Sequence, residues 1–384
     1  MPIQQIYELF ELISTIKPAV LRMGYGPERN RNGGSGVLAV LGLWAVTGNF
    51  GKPGSGVLAS TSDGFSINVK ATWPESIERP VRRELNMNHV ARVLRGDVGA
   101  WPAPAKVFII QGANPAVTAV DQTGMLDGLA REEVFTVLHE QVMTDTAKYA
   151  DVVLPATTHF EVHDVVGSYG SYSAQVIEPV IDRVGESRTN NEFAAALALR
   201  LGFSADEFNA DPKIIAERIA SQKNYPVQFR KPGTTVQFRD TWPSFDGKRA
   251  QLFTAQSELP LPKFRDATSN YPLVLLSPAT SHTINSMFAD TDPPRVAIYM
   301  NQQDVNARKL SDSTRVKVFN SKATLVIDLV VDATMRPGVC SIPKGLWLRA
   351  TNQGVTANAF APDDLNDLVG GACFNDARVE VTAV

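Results

Sequence analysis

Three short apolar runs, each closed by a polar residue, set the fold class of this chain. Val107-Phe108-Ile109-Ile110 is uninterrupted and ends in the turn Gln111-Gly112-Ala113-Asn114-Pro115. Val134 to Leu138 is a second run and ends at His139-Glu140; Asp151-Val152-Val153-Leu154-Pro155 is a third. A strand with one wet face alternates apolar and polar residues. Strands without alternation predict burial on both faces, the mark of a parallel sheet between layers of helix. The stretches between them suit helices. Asn114-Pro115 can open one with proline at its first position, and Thr144 to Tyr149 is a short one.

The flanking sequence extends this α/β pattern. Ile6, Leu9, Phe10, Ile13 and Ile16 share one helical face. Ala19 to Met23 is a short strand. Val37 to Val46 reads as a buried helix, stopped by the breakers Gly48-Asn49-Phe50-Gly51-Lys52-Pro53-Gly54. Met87 to Leu94 is a helical patch, and Asn191 to Leu201 is a further helix with Gly202 as its stop. From about 226 to 270 the chain is proline-rich and reads as a linker. Beyond it the pattern becomes short strands: Leu273–Leu276, Ala297–Met300, Arg315–Phe319, Thr324–Val331, Val339–Ile342 and Arg378–Val381. One helix, Gln303 to Lys309, interrupts them with Asn301 as its N-cap. The expected organisation is parallel-sheet α/β layers over 1–225, a linker over 226–270 and a β-barrel over 271–384.

Composition narrows the function classes. Lys+Arg is 37 and Asp+Glu is 40, a balance unsuited to the phosphate backbone of nucleic acid. Hydrophobic residues are 44%, enough for a large core. Two cysteines, Cys340 and Cys373, allow neither a disulfide framework nor an iron–sulfur cluster held by four cysteines of this chain. The opening residues read as no secretory signal and no apolar run is long enough to span a bilayer, so a cytoplasmic location is expected.

The strand ends carry the candidate chemistry. Asn114, Glu140, Thr157 and Thr158 lie at the carboxyl ends of the three runs, where open parallel sheets bind ligands. A carboxylate such as Glu140 can accept hydrogen bonds from ribose hydroxyls or from a guanine edge, and Thr144 and Thr146 could hold a phosphate. No G-x-G-x-x-G follows a strand and no Walker A is present, which argues against an ordinary nicotinamide or ATP site. His159 and His163 stand four apart in a loop, without a zinc-protease pattern. His139 and His163 are the imidazoles near the strand ends that merit a test as bases; no catalytic residue is assigned. A second cluster, Ser277-Pro278-Ala279-Thr280-Ser281-His282-Thr283-Ile284-Asn285-Ser286, follows an apolar strand and suits a polyoxygenated or phosphorylated ligand as well as it suits a solvated loop.

In order along the chain, several pieces resemble the bis-molybdopterin guanine dinucleotide oxidoreductases, the family of formate dehydrogenases, nitrate reductases and dimethyl sulfoxide reductases. They are Gly24-Tyr25-Gly26 through Thr47-Gly48-Asn49-Phe50-Gly51-Lys52-Pro53-Gly54; Gly112-Ala113-Asn114-Pro115; Met143 through Thr158; Glu161; His282 through Ser286; Met300 through Asp304; Val316 through Asn320; Arg336-Pro337-Gly338; and Phe374-Asn375. The resemblance implies a C-terminal portion of such an enzyme, ending in a double-psi-like barrel that binds the pterin dinucleotide. Glu140 and Thr144 would face a nucleotide end of the cofactor, and Asn114 and Ser277 would be further cofactor-binding residues. His282, Asn285 and Ser286 would face phosphates or pterin, and Asn358 and Asn375 would sit by pterin rings. The resemblance also implies that the family's cysteine motif and its molybdenum ligand lie upstream of residue 1, so no metal ligand and no cluster is expected here. A separate N-terminal half or an electron-transfer subunit would complete the enzyme. Gly167 to Gln175 departs from the Asn-x-Glu-Gly-Arg stretch of the formate and nitrate enzymes, which leaves the substrate open. Two other readings stand beside this one. The chain could be a non-catalytic cofactor-binding subunit or a remnant of a truncated reading frame; or it could be an unrelated nucleotide-binding protein with a β domain.

Overall fold

The computed structural model describes residues 2–59, 84–97, 103–167, 174–205, 211–220, 236–240, 261–351, 353–367 and 370–384, with isolated positions between them. In chain order the first elements are α1 (Ile3–Thr15), β1 (Val20–Arg22), α2 (Gly33–Val46), β2 (Gly56–Leu58), α3 (Val90–Leu94), β3 (Val107–Gln111), α4 (Pro115–Thr118), α5 (Gln122–Leu129), β4 (Phe135–Glu140) and β5 (Val152–Pro155). They are followed by β6 (Asp164–Gly167), β7 (Ala174–Ile177), α6 (Asn190–Arg200), α7 (Pro212–Ala220), β8 (Leu273–Leu276), β9 (Ala297–Met300), α8 (Gln302–Ala307), β10 (Arg315–Phe319), β11 (Thr324–Val331), β12 (Val339–Ser341) and β13 (Arg378–Ala383). No helix among the described residues is long and apolar enough to cross a membrane. Most of 226–270, and the centre of the 167–175 stretch, lie outside the described residues.

The chain divides into two compact units. The first comprises Met1–Pro27, Gly34–Pro80 and Thr157–Phe264. In it β1 and β2 pair in parallel, Val20 opposite Gly56. Lys17 Nζ ties the end of α1 to the end of α2, donating to the carbonyls of Ile13 and Thr47 and to Asn49 Oδ1. The expected burial of α2 holds only on one side: Trp44 is buried, while Leu38, Leu41 and Val46 are exposed. Its stretch is apolar all round, so a single buried face leaves the rest in solvent. The hairpin β6–β7, Asp164 opposite Ile177, and the helix α7 were not foreseen from the sequence.

Glu161 organises the loops of this unit. Its carboxylate accepts from the backbone N–H of Val184 and of Thr158, and from the hydroxyls of Thr158 and Ser187. Those donors, the Val184 N–H foremost, hold its pKa down to about 2. A carboxyl depressed in the folded state contributes stability above its unfolded pKa of about 4.3, and that contribution is lost as pH falls toward 2. Glu161→Gln should therefore flatten the fall in melting temperature between pH 4.5 and 2. A parallel fall in both proteins would show that Glu161 does not carry it.

The second unit comprises Glu28–Gly33, Val81–Ala156 and Arg265–Val384. Its parallel sheet runs β3-β4-β5, with Ile109 opposite Val137 and Val137 opposite Val152. One face packs on a core of Ala91, Leu94, Ala116, Val117, Met125 and Leu129 through Ile110 and Leu138. On the other face the apolar runs led one to expect cover, but among the described residues Val107, Ile109 and Phe135 are exposed. Both crossovers, through α4–α5 and through the short 3-10 helix Asp145–Tyr149, contribute to the same covered side.

Six strands close into a barrel in the order β10-β11-β9-β12-β8-β13. All six are the short strands read from the sequence. Alternation builds them: in β10, Val316 and Val318 are buried between exposed Arg315 and Lys317. In β11, Leu325, Ile327 and Leu329 point into a core shared with Ile298, Met300, Val379 and Phe360. Asn301 caps α8, its Oδ1 accepting from Gln303 N–H at 2.8 Å. Sheet and barrel are fastened together inside this unit. Asp145 Oδ2 accepts from Leu348 N–H at 2.6 Å, Gln122 Oε1 from Thr356 N–H at 2.9 Å, and Lys322 reaches Asp121.

Candidate functional site

The carboxyl end of the parallel sheet holds the first cluster. Asn114, which follows β3, is buried. Its Oδ1 accepts from the backbone N–H of Thr146 at 3.2 Å and from the Thr146 hydroxyl at 2.8 Å. Its Nδ2 is buried and finds no hydrogen-bond partner among the described residues. Thr144, buried just before the 3-10 helix, leaves its Oγ1 in the same condition. Folded proteins pair nearly all such groups, and an unmet one costs about 1–3 kcal/mol. A donor and a hydroxyl left open at the ends of parallel strands mark where a polar ligand would be held. Asn358 joins them from the barrel side, its Nδ2 donating to the carbonyl of Val117 at 2.8 Å. Glu140 is half-buried at the end of β4, and its Oε1 accepts from Gln141 N–H.

The loop after β8 holds the second. Ser277 is buried and receives the guanidinium of Arg29, which donates to its Oγ at 3.0 Å and to its carbonyl at 3.3 Å. The same guanidinium lies 4.4 Å over the Phe374 ring, next to Asn375. Lys344 N–H donates to Pro278 O, and its Nζ to Asn285 Oδ1 at 3.0 Å. Trp347 Nε1 donates to Ser286 O at 2.7 Å. Asn285 takes a positive φ of 53°, and Gly345, at φ 84°, lets that loop approach so closely that an added methyl would overlap the Asn285 carbonyl. Trp347 and Leu348 link the clusters, one bonded to Ser286 and the other to Asp145 beside Thr144.

The remaining candidates fall as follows. The His282 ring is exposed, with Nδ1 2.7 Å from Asp292 Oδ2. Asn375 is half-buried in a short 3-10 turn, and its carbonyl accepts from Arg378. His139 is buried within β4, opposite Gln111 and Leu154. Arg29 and Lys344 were not singled out by sequence reading; Arg29 lies 248 residues from Ser277, and only a cation set in a polar run distinguished it.

Burial raises both thiols, Cys340 and Cys373, to about 12. Neither is a thiolate at neutral pH, so neither is a ready nucleophile. In the native protein both should resist a thiol reagent for hours, then titrate within minutes in denaturant. Rapid native labelling of either one would contradict this environment.

Comparison with known sequences decides the family. The model of the Molybdopterin oxidoreductase family matches residues 9–200, and that of the Molydopterin dinucleotide binding domain matches residues 273–378. The chain belongs to the molybdopterin oxidoreductase family. It is 29% identical over 405 residues to the Probable oxidoreductase YoaE of Bacillus subtilis, covering 99% of this chain and 59% of that protein. It is 24% identical over 423 residues to the dimethyl sulfoxide/trimethylamine N-oxide reductase of Cereibacter sphaeroides, covering 90% and 51%. The chain thus spans between half and three-fifths of the length of these relatives. Among solved structures, acetylene hydratase from Pelobacter acetylenicus shares the fold, with a TM-score of 0.60 at 16% identity, over 76% of this chain and 46% of that one. The barrel is therefore the family's dinucleotide-binding domain, and the cofactor class is the molybdenum bis-molybdopterin guanine dinucleotide. The open Asn114 amide and Thr144 hydroxyl, with cations at the β8 loop, fit so polar and anionic a group.

Proposed function

We propose that this chain grips bis-molybdopterin guanine dinucleotide within a molybdenum oxidoreductase and supports two-electron redox or oxygen-atom transfer at the metal. The observation that carries the reading is the pair of buried, unmet groups, Asn114 Nδ2 and Thr144 Oγ1, at the ends of a parallel sheet in this family. Asn114, Glu140 and Thr144 would hold the nucleotide end. Ser277, His282, Asn285 and Ser286 would hold phosphates or pterin, and Asn358 and Asn375 would border the pterin rings. When bound, the cofactor supplies the electron chemistry. The chain's own part is to orient it and to exclude water around Asn114 and Thr144. A separate polypeptide carrying the family's N-terminal layers or an electron-transfer function would be the partner. We place the activity in the cytoplasm, the compartment where free thiols such as Cys340 and Cys373 persist.

The test is to express the protein in a host that makes the cofactor and to measure molybdenum together with the fluorescent oxidised pterin released by acid. Wild type should carry both. Asn114→Ala, removing a buried donor worth about 1–3 kcal/mol, should retain them roughly 5- to 150-fold less tightly on dilution. Absence of pterin from the wild-type protein, purified with its partner, would overturn the reading.

A further inference from the structure

Arg29 and Lys344 are two half-buried cations on one loop, and neither has a counter-charge among the described residues. Five arginines of the same unit sit on carboxylates: Arg31 on Asp376, Arg92 on Asp363, Arg95 on Asp121, Arg265 on Asp367, Arg308 on Glu380. Arg29 has none among the described residues and bonds only to the neutral oxygens of Ser277. Lys344 likewise bonds only to Asn285 Oδ1. Burial lowers the pKa of both, and the charge of Arg29 lowers that of Lys344 further. Two half-buried like charges held near one another are costly unless an anion joins them.

Both cations grip the same loop, Arg29 at Ser277 and the Lys344 ammonium at Asn285. Gly345 and Trp347 lock that loop from behind, through Asn285 and Ser286. The donors are thus in place before any ligand arrives, which reduces the ordering cost of binding. Guanidinium and ammonium together suit phosphate oxygens, the first as a fork and the second as a point charge.

We infer that Arg29 and Lys344 are a preset clamp for a diphosphate group, the linker of the pterin dinucleotide. The assignment rests on the cofactor reading above, but its test separates the two. The purified 384-residue chain is titrated calorimetrically with inorganic pyrophosphate, GDP and guanosine, and its melting temperature is followed with each. Wild type should bind pyrophosphate and GDP, with affinity falling steeply as salt rises. Arg29→Gln and Lys344→Gln should each weaken both at least tenfold, and neither should alter binding of guanosine. Arg29→Lys, which retains charge without the fork, should recover part of the loss. If Arg29→Gln fails to fold, Lys344→Gln and the pyrophosphate-induced rise in wild-type melting temperature decide the matter alone.

GDP binding that is indifferent to both substitutions would overturn the clamp while leaving the cofactor reading intact. Absence of pyrophosphate binding or stabilisation in wild type would also overturn it. Pyrophosphate binding abolished by the substitutions, in a protein that never carries pterin, would support the clamp and defeat the cofactor reading.

Discussion

Gly345→Ala is expected to disable the β8 loop more thoroughly than any substitution of a side chain that touches a ligand. Gly345 sits at φ 84°, a region that costs an L-residue about 1–2 kcal/mol. That cost is the smaller part. The new methyl would occupy the space of the Asn285 carbonyl, which is backbone and cannot swing aside. The loop must move, and with it the seats of Asn285, Ser286 and the Lys344 ammonium. Gly338 provides the control: its φ is 81°, but nothing lies within 4 Å of an added methyl. Gly338→Ala should lower the melting temperature by a few degrees and leave pterin content unchanged. Gly345→Ala should lower it further and reduce pterin content at least tenfold. Equal behaviour of the two variants would show that the close approach at Asn285 is unimportant.

Phe360→Ala should have the largest effect on stability. Phe360 is 1% exposed and packs with Leu325, Ile327, Val379 and Val381 in the barrel core. Truncating a buried phenylalanine costs about 3–5 kcal/mol, because the cavity closes only in part. Its carbonyl also accepts from Asn320 Nδ2, which fixes the surrounding loop against collapse into the space. At about 2–4 °C per kcal/mol the melting midpoint of this unit should drop by roughly 6–20 °C. Calorimetry would resolve it, and a shift below 3 °C would mean that the barrel repacks freely.

The barrel was legible because its strands alternate and are bounded by turn residues, so β8 to β13 could each be drawn from local pattern. The sheet β3-β4-β5 was equally plain, since three uninterrupted apolar runs admit few other arrangements. What the pattern could not reveal was the state of its second face. An apolar residue reads the same whether a helix covers it or not, and Val107, Ile109 and Phe135 are exposed. The hairpin β6–β7 escaped because its strands are short and joined through a run of Gly, Ser and Tyr that carries no period. The helix α6 was found, yet the capping box of Thr189 and Glu192 at its start was overlooked.

The site was legible in part for a related reason. Asn114 and Thr144 stand out because strand ends in parallel sheets are where ligands bind, and their position follows from the strands. Arg29 and Lys344 depend on contacts across the chain that no local spacing encodes. An arginine that lacks a carboxylate looks no different in sequence from one that has it.

The strand order of the barrel also governs when it can be completed. The last of its strands in the chain, β13, sits between β8 and β10 and hydrogen-bonds to both, Val379 opposite Leu273 and Val318 opposite Val381. During synthesis the other five strands leave the ribosome first, as an open sheet with two bare margins. Until residues 378–383 emerge, those margins offer unpaired amides and carbonyls to any neighbouring chain. The nascent protein therefore passes through a sticky interval that ends only with its closing strand, and crowded translation of this message should demand chaperone protection at that moment above all others.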